Sequence, residues 1–187
     1  MSQNQRSDAR SNRERVLAAA RETFADAGLD APMREIARRA GIGVATLYRH
    51  FPSRTELITA VLAERVEACN QQVRAALDDP DPWRALAGTI LTFADRQIHD
   101  RALNEALLGS GDAFPKERQE HSEALNILVS RARSAGVLRE GVDADDVRAG
   151  LLALASLHRL PAPGGARIIG KLAALVLAGL RAPAVPA

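Results

Sequence analysis

Apolar residues recur at three- and four-residue intervals along almost the whole chain, interrupted at clusters of Gly, Pro and Asp. That periodicity predicts an all-α protein of about nine helices, with no strand pattern and no internal repeat. Ser11-Asn-Arg-Glu14 has capping-box spacing and predicts the start of a first helix, with Val16, Leu17, Ala20 and Phe24 inward and Gly28 behind it. Two short helices follow, Met33 to Arg39 and a second opening at Val44, joined by a turn that carries Gly41 and Gly43. Ile36 and Ala37 face inward, Ala40 tightens the turn, Ile42 plugs between the helices, and Leu47 and Phe51 give the second helix one buried side. Pro32 at the first helical turn loses no needed N–H, and Asp30 is expected to cap.

Ser53-Arg-Thr-Glu56 repeats the capping spacing and opens a long helix on Leu57, Val61, Leu62, Val66, Cys69, Val73 and Leu77. Asp78-Asp-Pro-Asp-Pro82 breaks it. The next helix carries Trp83, Leu86, Ile90, Phe93 and Ile98; a shorter one spans about Ala102 to Leu108, and residues 109–115 read as a loop. A helix from about Lys116 to Ala135 ends at Gly136. Another starts at Asp143 and runs to about Leu160, and the last follows Pro161-Ala-Pro-Gly-Gly165 and ends near Arg181. Those last two helices are apolar over too wide an arc for one packed face: Leu151, Leu152, Leu154, Ala155 and Leu157 on one, and Ile168, Ile169, Leu172, Leu175, Val176 and Leu180 on the other. Either they fill the core of a larger domain, or they form half of a four-helix bundle between two copies.

Composition narrows the function. At 187 residues the chain can bury a substantial core. A single cysteine, Cys69, excludes a disulfide framework and makes a reducing cytoplasm the simplest setting. No apolar signal segment precedes the first helix, and the run from Leu172 to Leu180 falls far short of the roughly 20 residues that span a bilayer, so no membrane partner is expected. The net charge of +2 hides an asymmetry: residues 1–54 hold ten Arg against six acidic residues, while the remainder is net negative. Positive charge therefore collects on the segment with the two short helices.

That segment has the shape of a helix-turn-helix, whose second helix enters the major groove of DNA. Its unburied side offers Val44, Ala45, Thr46, Tyr48, Arg49 and His50, small or hydrogen-bonding groups suited to bases and phosphates. Gly43 to Thr46 open the helix, where N-terminal residues meet base edges; Val44 and Ala45 offer apolar contact, for instance to a thymine methyl. Arg49 and His50 suit either solvent or DNA. The residues Arg13, Val16 to Ala20, Phe24, Gly28, Ile36-Ala37, Ala40-Gly41, Thr46-Leu47-Tyr48, His50-Phe51, Arg54 and Leu57 together resemble the tetracycline-repressor (TetR) family of bacterial transcription regulators. The resemblance covers roughly the first third of the chain. Two departures stand out: Ala31-Pro32 replaces the usual Ser or Thr, and Arg54 stands where Lys is frequent.

The resemblance implies that Tyr48 and Arg54 meet phosphate oxygens and that Arg34 lies near a base or phosphate. It implies three parts: a flexible arm over 1–10, the DNA-binding domain over 11–56, and a helical effector-binding and dimerisation domain over 57–187. It favours the intermolecular bundle, with Leu151, Leu154, Ile169, Leu172, Val176 and Leu180 at the dimer interface. It also implies a small-molecule effector among the middle helices, for which Cys69, Trp83, Phe93, Gln97, His121 and Asn126 are candidate contacts. Each has a competing reading: Trp83 as a helix-start anchor, Phe93 as core, Cys69 as a small buried hydrophobe, His121 on a solvated face. Scarce aromatics lean toward smaller or aliphatic effectors.

Expected partners are thus double-stranded operator DNA, a second copy of the chain and an unidentified effector. We expect a repressor released from an inverted-repeat operator; the alternatives are an activator, a regulator requiring its effector, or a small helical enzyme that keeps the motif as scaffold. Against the enzyme, no acid–base or nucleophile constellation is present. No catalytic residue, metal site or cofactor is expected: His50, His99, His121 and His158 show no paired-ligand spacing. Gly165-Ala-Arg-Ile-Ile-Gly-Lys171 imitates the start of a phosphate-binding loop, but Leu172 replaces the hydroxyl that would hold magnesium and no strand precedes it.

Overall fold

The computed structural model describes residues 2–109, 111–157 and 164–183. Among them are nine helices: α1 Ser2–Ala27, α2 Met33–Arg39, α3 Val44–His50, α4 Arg54–Asp78, α5 Pro82–His99, α6 Arg101–Leu108, α7 Pro115–Ser134, α8 Ala144–Ser156 and α9 Gly164–Leu180. The helix starts follow local chemistry. Ser53 accepts from Glu56 N, Asp81 accepts from Trp83 N and Arg84 N with Pro82 in the first turn, and Asp143 forms a reciprocal capping box with Asp146. Gly28, Gly41 and Gly136 take positive φ behind α1, α2 and α7, the left-handed exit that glycine tolerates. His158 and the Pro161 break lie outside the described residues.

Two expected starts are corrected. α1 begins at Ser2, so Ser11 and Glu14 sit inside it, and the segment expected as a flexible arm over 1–10 is helical from Ser2 onward. Glu14 pairs instead with Arg10 one turn earlier, at 3.2 Å. Asp30 does not cap α2: Pro32 occupies the N-cap position with no side-chain bond.

The buried residues gather in two cores. The first joins Val16, Ala20 and Phe24 of α1 to Ile36, Leu47, Phe51 and the Leu57–Cys69 face of α4, and continues into Leu103 and Leu107 of α6. The second joins Leu86, Ile90 and Phe93 of α5 to Leu125 and Leu128 of α7, Leu151 and Leu154 of α8, and Ile169, Ala173 and Leu180 of α9. The expected boundary at 56–57 therefore runs inside α4, at the start of the face that packs into the head. The C-terminal helix is tied down by backbone pairing: Arg139 N donates to Leu180 O and Ala182 N to Val137 O, at 2.9 and 3.0 Å.

The outward face of α8 and α9 is not the expected one. Leu151, Leu154, Ile169 and Leu180 point into the second core of their own chain, and Leu172 and Val176 are half-buried against it. The large side chains left outside are Leu152, Ile168 and Leu175, exposed by 58, 40 and 69 %. α8 and α9 lie so close that a Cβ on Gly150 would come within 2.8 Å of Val176 Cγ1. Mutual packing of α8, α9 and α5 consumes part of the wide apolar arc, and the rest is the uncovered stripe.

Candidate nucleic-acid interface and ligand cavity

The head is held rigidly by its own charges. Arg39 donates to Asp26 of α1 at 2.8 Å and to Glu35 at 3.1 Å, while Arg38 grips Glu35 through both Nε and Nη2, at 2.8 and 2.6 Å. These hydrogen bonds, from Arg38 first and then Arg39, lower the Glu35 pKa to about 2. The turn between α2 and α3 is fastened to α1 by Arg15 Nη2 donating to Gly41 O at 3.3 Å, and the Arg13 guanidinium stacks 5.0 Å from the Phe51 ring. Arg38 and Arg39 are thus engaged in ion pairs. Arg34 is exposed, with no side-chain partner among the described residues.

α3 is anchored through Leu47 and Phe51, both buried, and this anchoring turns its other face outward. Gly43, Val44, Ala45, Tyr48 and Arg49 are exposed, with Thr46 and His50 half-buried beside them. Tyr48 is 44 % exposed. Arg49 Nη2 donates to Thr46 Oγ1 at 2.8 Å, so the hydroxyl and the guanidinium act as one polar unit. The arrangement presents small residues at the helix start and hydrogen-bonding ones behind, which suits base edges first and phosphates second.

Arg54 is engaged within the fold. Its Nη1 donates to Leu29 O at 2.5 Å and to Ala31 O at 2.8 Å, fastening the α1–α2 turn to the start of α4. Glu105 of α6 fastens the same turn from the other side by accepting from Leu29 N at 2.9 Å. Arg54 is half-buried in this junction, and its guanidinium serves the fold there.

Residues 16–61 match the bacterial regulatory proteins of the tetR family, and residues 81–182 match the C-terminal domain of SbtR-like transcriptional regulators. The chain belongs to the TetR family. It is 37 % identical over 133 residues to the transcriptional repressor KstR of Mycolicibacterium smegmatis, spanning 68 % of this chain and 65 % of that one. A TetR transcription regulatory protein from Mycobacterium vanbaalenii superposes with a TM-score of 0.52 at 34 % identity, covering 95 % of this chain and 99 % of the other. The ketosteroid transcriptional regulator KstR2 of Mycobacterium tuberculosis shares the fold, with a TM-score of 0.69 at 24 % identity over 91 % of this chain and 95 % of that one. This TetR-family chain is accordingly a DNA-binding transcription regulator. No helix among the described residues is long and apolar enough to cross a membrane.

Behind the head of this regulator lie two adjoining cavities. The one at the head–body junction, about 680 Å³, is lined by charged groups that include Asp30, Arg54, Glu105, Asp112 and Arg118. The other, about 330 Å³, lies among α4, α5, α6, α7 and α8, walled by Val73, Phe93, Leu107, Leu125, Leu128 and Leu151 with polar groups at Thr89, Arg96, Arg118, His121 and Arg148. Apolar walls with a few convergent polar groups are the usual form of a small-molecule site, so the second is the better candidate.

Of the expected ligand contacts, Cys69, Phe93 and His121 line this second cavity. Gln97 lines the junction cavity, but its amide is engaged: Oε1 accepts from Asn104 Nδ2 at 3.0 Å and Nε2 donates to Ala155 O at 3.1 Å. Trp83 and Asn126 are not in either. Trp83 packs on the second core at the start of α5, under the Arg181 guanidinium 5.0 Å away, and Asn126 accepts from Arg148 at 2.7 Å on the outer side of α7. His121, whose competing reading was a solvated face, is half-buried and hydrogen-bonded to Asn70 Oδ1 at 2.9 Å. Burial first, and then the positive charge of Arg96, push its pKa below 6.5.

Arg96, Arg118 and Arg148 were missed by sequence reasoning. In an arginine-rich chain no single Arg stands out, and only helix packing brings these three, from α5, α7 and α8, to one cavity. The imitation of a phosphate-binding loop at Gly165 to Lys171 is plain helix within α9.

Proposed function

We propose that the chain acts as a homodimeric repressor that holds an inverted-repeat operator through α3 and releases it when a small molecule fills the cavity among α4 to α8. The observation that carries this reading is the face of α3, where Val44, Ala45, Tyr48 and Arg49 project from a helix whose other side is locked by Leu47 and Phe51. Arg34 and Tyr48 position the head on phosphates, and Gly43 to Thr46 read bases. The exposed stripe of Leu152, Ile168 and Leu175 is the surface a second copy covers, replacing the interface expected at Leu151, Leu154, Ile169 and Leu180. A two-fold dimer places two α3 helices on successive major grooves, so half-sites lie about 34–36 Å apart or a multiple of that. Release follows from the junction: α6 lines the cavity through Leu107 and holds the α1–α2 turn through Glu105.

A gel shift with the DNA upstream of the chain's own coding sequence tests the reading. Retardation of a specific fragment as a two-chain complex is the expected result. A reporter fused to that fragment should rise when the chain is deleted; a fall would assign activation instead.

A further inference from the structure

Arg96 lines the small cavity with few acceptors of its own. Its Nη1 donates to Cys69 Sγ, a weak acceptor, and its buried Nε has no hydrogen-bond partner among the described residues. A charged guanidinium with few acceptors on an apolar-walled cavity suits an anionic ligand. The other two arginines hold more acceptors. Arg118 Nη1 donates to the carbonyls of Ala106 and Ala113, and Arg148 donates to Asp145, Ser122 and Asn126.

Carboxylates are what guanidinium groups take elsewhere in this chain. Arg38 takes Glu35 through Nε and Nη2 at 2.8 and 2.6 Å, and Arg84 takes Asp79 through the same pair at 2.8 and 2.6 Å. A planar carboxylate matches that fork in two parallel bonds, whereas an alcohol accepts at one oxygen and an amine repels the charge. Among the described residues, no Asp or Glu lines the cavity to compete. The remaining walls are aliphatic apart from Phe93, and a volume of about 330 Å³ sits at the small end of the roughly 300–1,000 Å³ typical of ligand pockets.

We propose that the effector is an aliphatic monocarboxylate, its carboxylate taken by the Arg96 guanidinium at the arginine-lined end of the cavity and its chain laid along Leu107, Leu125, Leu128 and Leu151. This rests on reading the cavity as the effector site. Thr89 and Ser122 supply hydroxyls at the polar end, beside His121.

Calorimetric titration of the full chain with decanoate, 1-decanol and decylamine tests the class directly, without reference to DNA. Decanoate should saturate, with 1-decanol and decylamine each weaker by about tenfold or more, the margin expected of a charge-assisted hydrogen-bond pair. Arg96→Gln should bring the decanoate-to-decanol ratio to about one. Equal or tighter binding of 1-decanol or decylamine, no binding of decanoate up to millimolar concentration, or an unchanged ratio in Arg96→Gln would overturn the proposal. If that variant does not fold, the three-ligand comparison on the parent chain decides alone. The gel shift run beside it separates the two readings: specific DNA retention without decanoate binding sinks the ligand class only, and absence of retention sinks the regulator reading.

Discussion

Replacing Arg54 by alanine separates a tether from a DNA contact, since the two roles leave different signatures. The side chain makes two charge-assisted bonds, to Leu29 O and Ala31 O, and removing it also leaves two carbonyls of the α1–α2 turn without their donor. Charged hydrogen bonds are each worth roughly 1.5–3 kcal/mol. Arg54 is only half-buried, and solvent and salt take back part of that, so about 2–4 kcal/mol of stability should be lost in all. Urea denaturation followed by circular dichroism measures that loss at 0.15 M salt. Operator affinity, measured across salt concentrations at a temperature where the variant stays folded, should keep the parent's slope of log K against log salt. Arg34→Ala, by contrast, should lower that slope by about one, as loss of a phosphate-bound cation does. If Arg54→Ala lowers the slope by about one and leaves the denaturation midpoint in place, then Arg54 leaves its carbonyls for a phosphate on binding, and the tether is wrong.

Three further perturbations probe the rest. Leu175→Glu puts a charge on the uncovered stripe; losing a leucine worth about 1.5–3 kcal/mol on each side of a two-fold interface should yield a folded monomer by sedimentation, whereas Leu154→Ala in the core should cost about 2–5 kcal/mol of stability with the mass unchanged. A Leu175→Glu chain that still sediments as a dimer at micromolar concentration would remove α9 from the interface. Thr46→Ala frees Arg49 from its 2.8 Å partner and should change base preference more than total affinity, which a randomised-operator selection reads; an unaltered preference would exclude the pair from base reading. His121 binds protons more weakly in the fold than in the unfolded chain, so it contributes stability above pH 6.5 that is lost as pH falls below that value. His121→Gln should flatten the fall in urea midpoint between pH 7.5 and 5.5, and an unchanged fall would show that the titration lies elsewhere.

The helices were legible where their starts are chemical. Ser53, Asp81 and Asp143 sit at N-caps with the bonds their spacing implies. Ser11 has the same spacing but lies inside a helix, because a Ser and a Glu three apart also occur on a continuous helical surface. The head was legible for a related reason: Leu47, Phe51 and the inner residues of α1 and α2 are close in sequence, so local periodicity decides which side of α3 faces out. The body was not. Both inner and outer residues of α8 and α9 are leucine and isoleucine, and only the position of α5 decides that Leu151 and Ile169 turn inward while Leu152 and Leu175 stay exposed. The same holds for the cavity, whose arginines come from helices far apart in the chain. The tether made by Arg54 was not legible because it depends on the carbonyls of a turn more than twenty residues away.

The central claim is that two copies of this head read one operator together. Hydroxyl-radical footprinting of the full chain on its upstream DNA tests it most directly. The account predicts two protected half-sites in inverted repeat, with centres about one helical turn or a multiple of it apart. A single asymmetric protected half-site, filled by one chain, would contradict it.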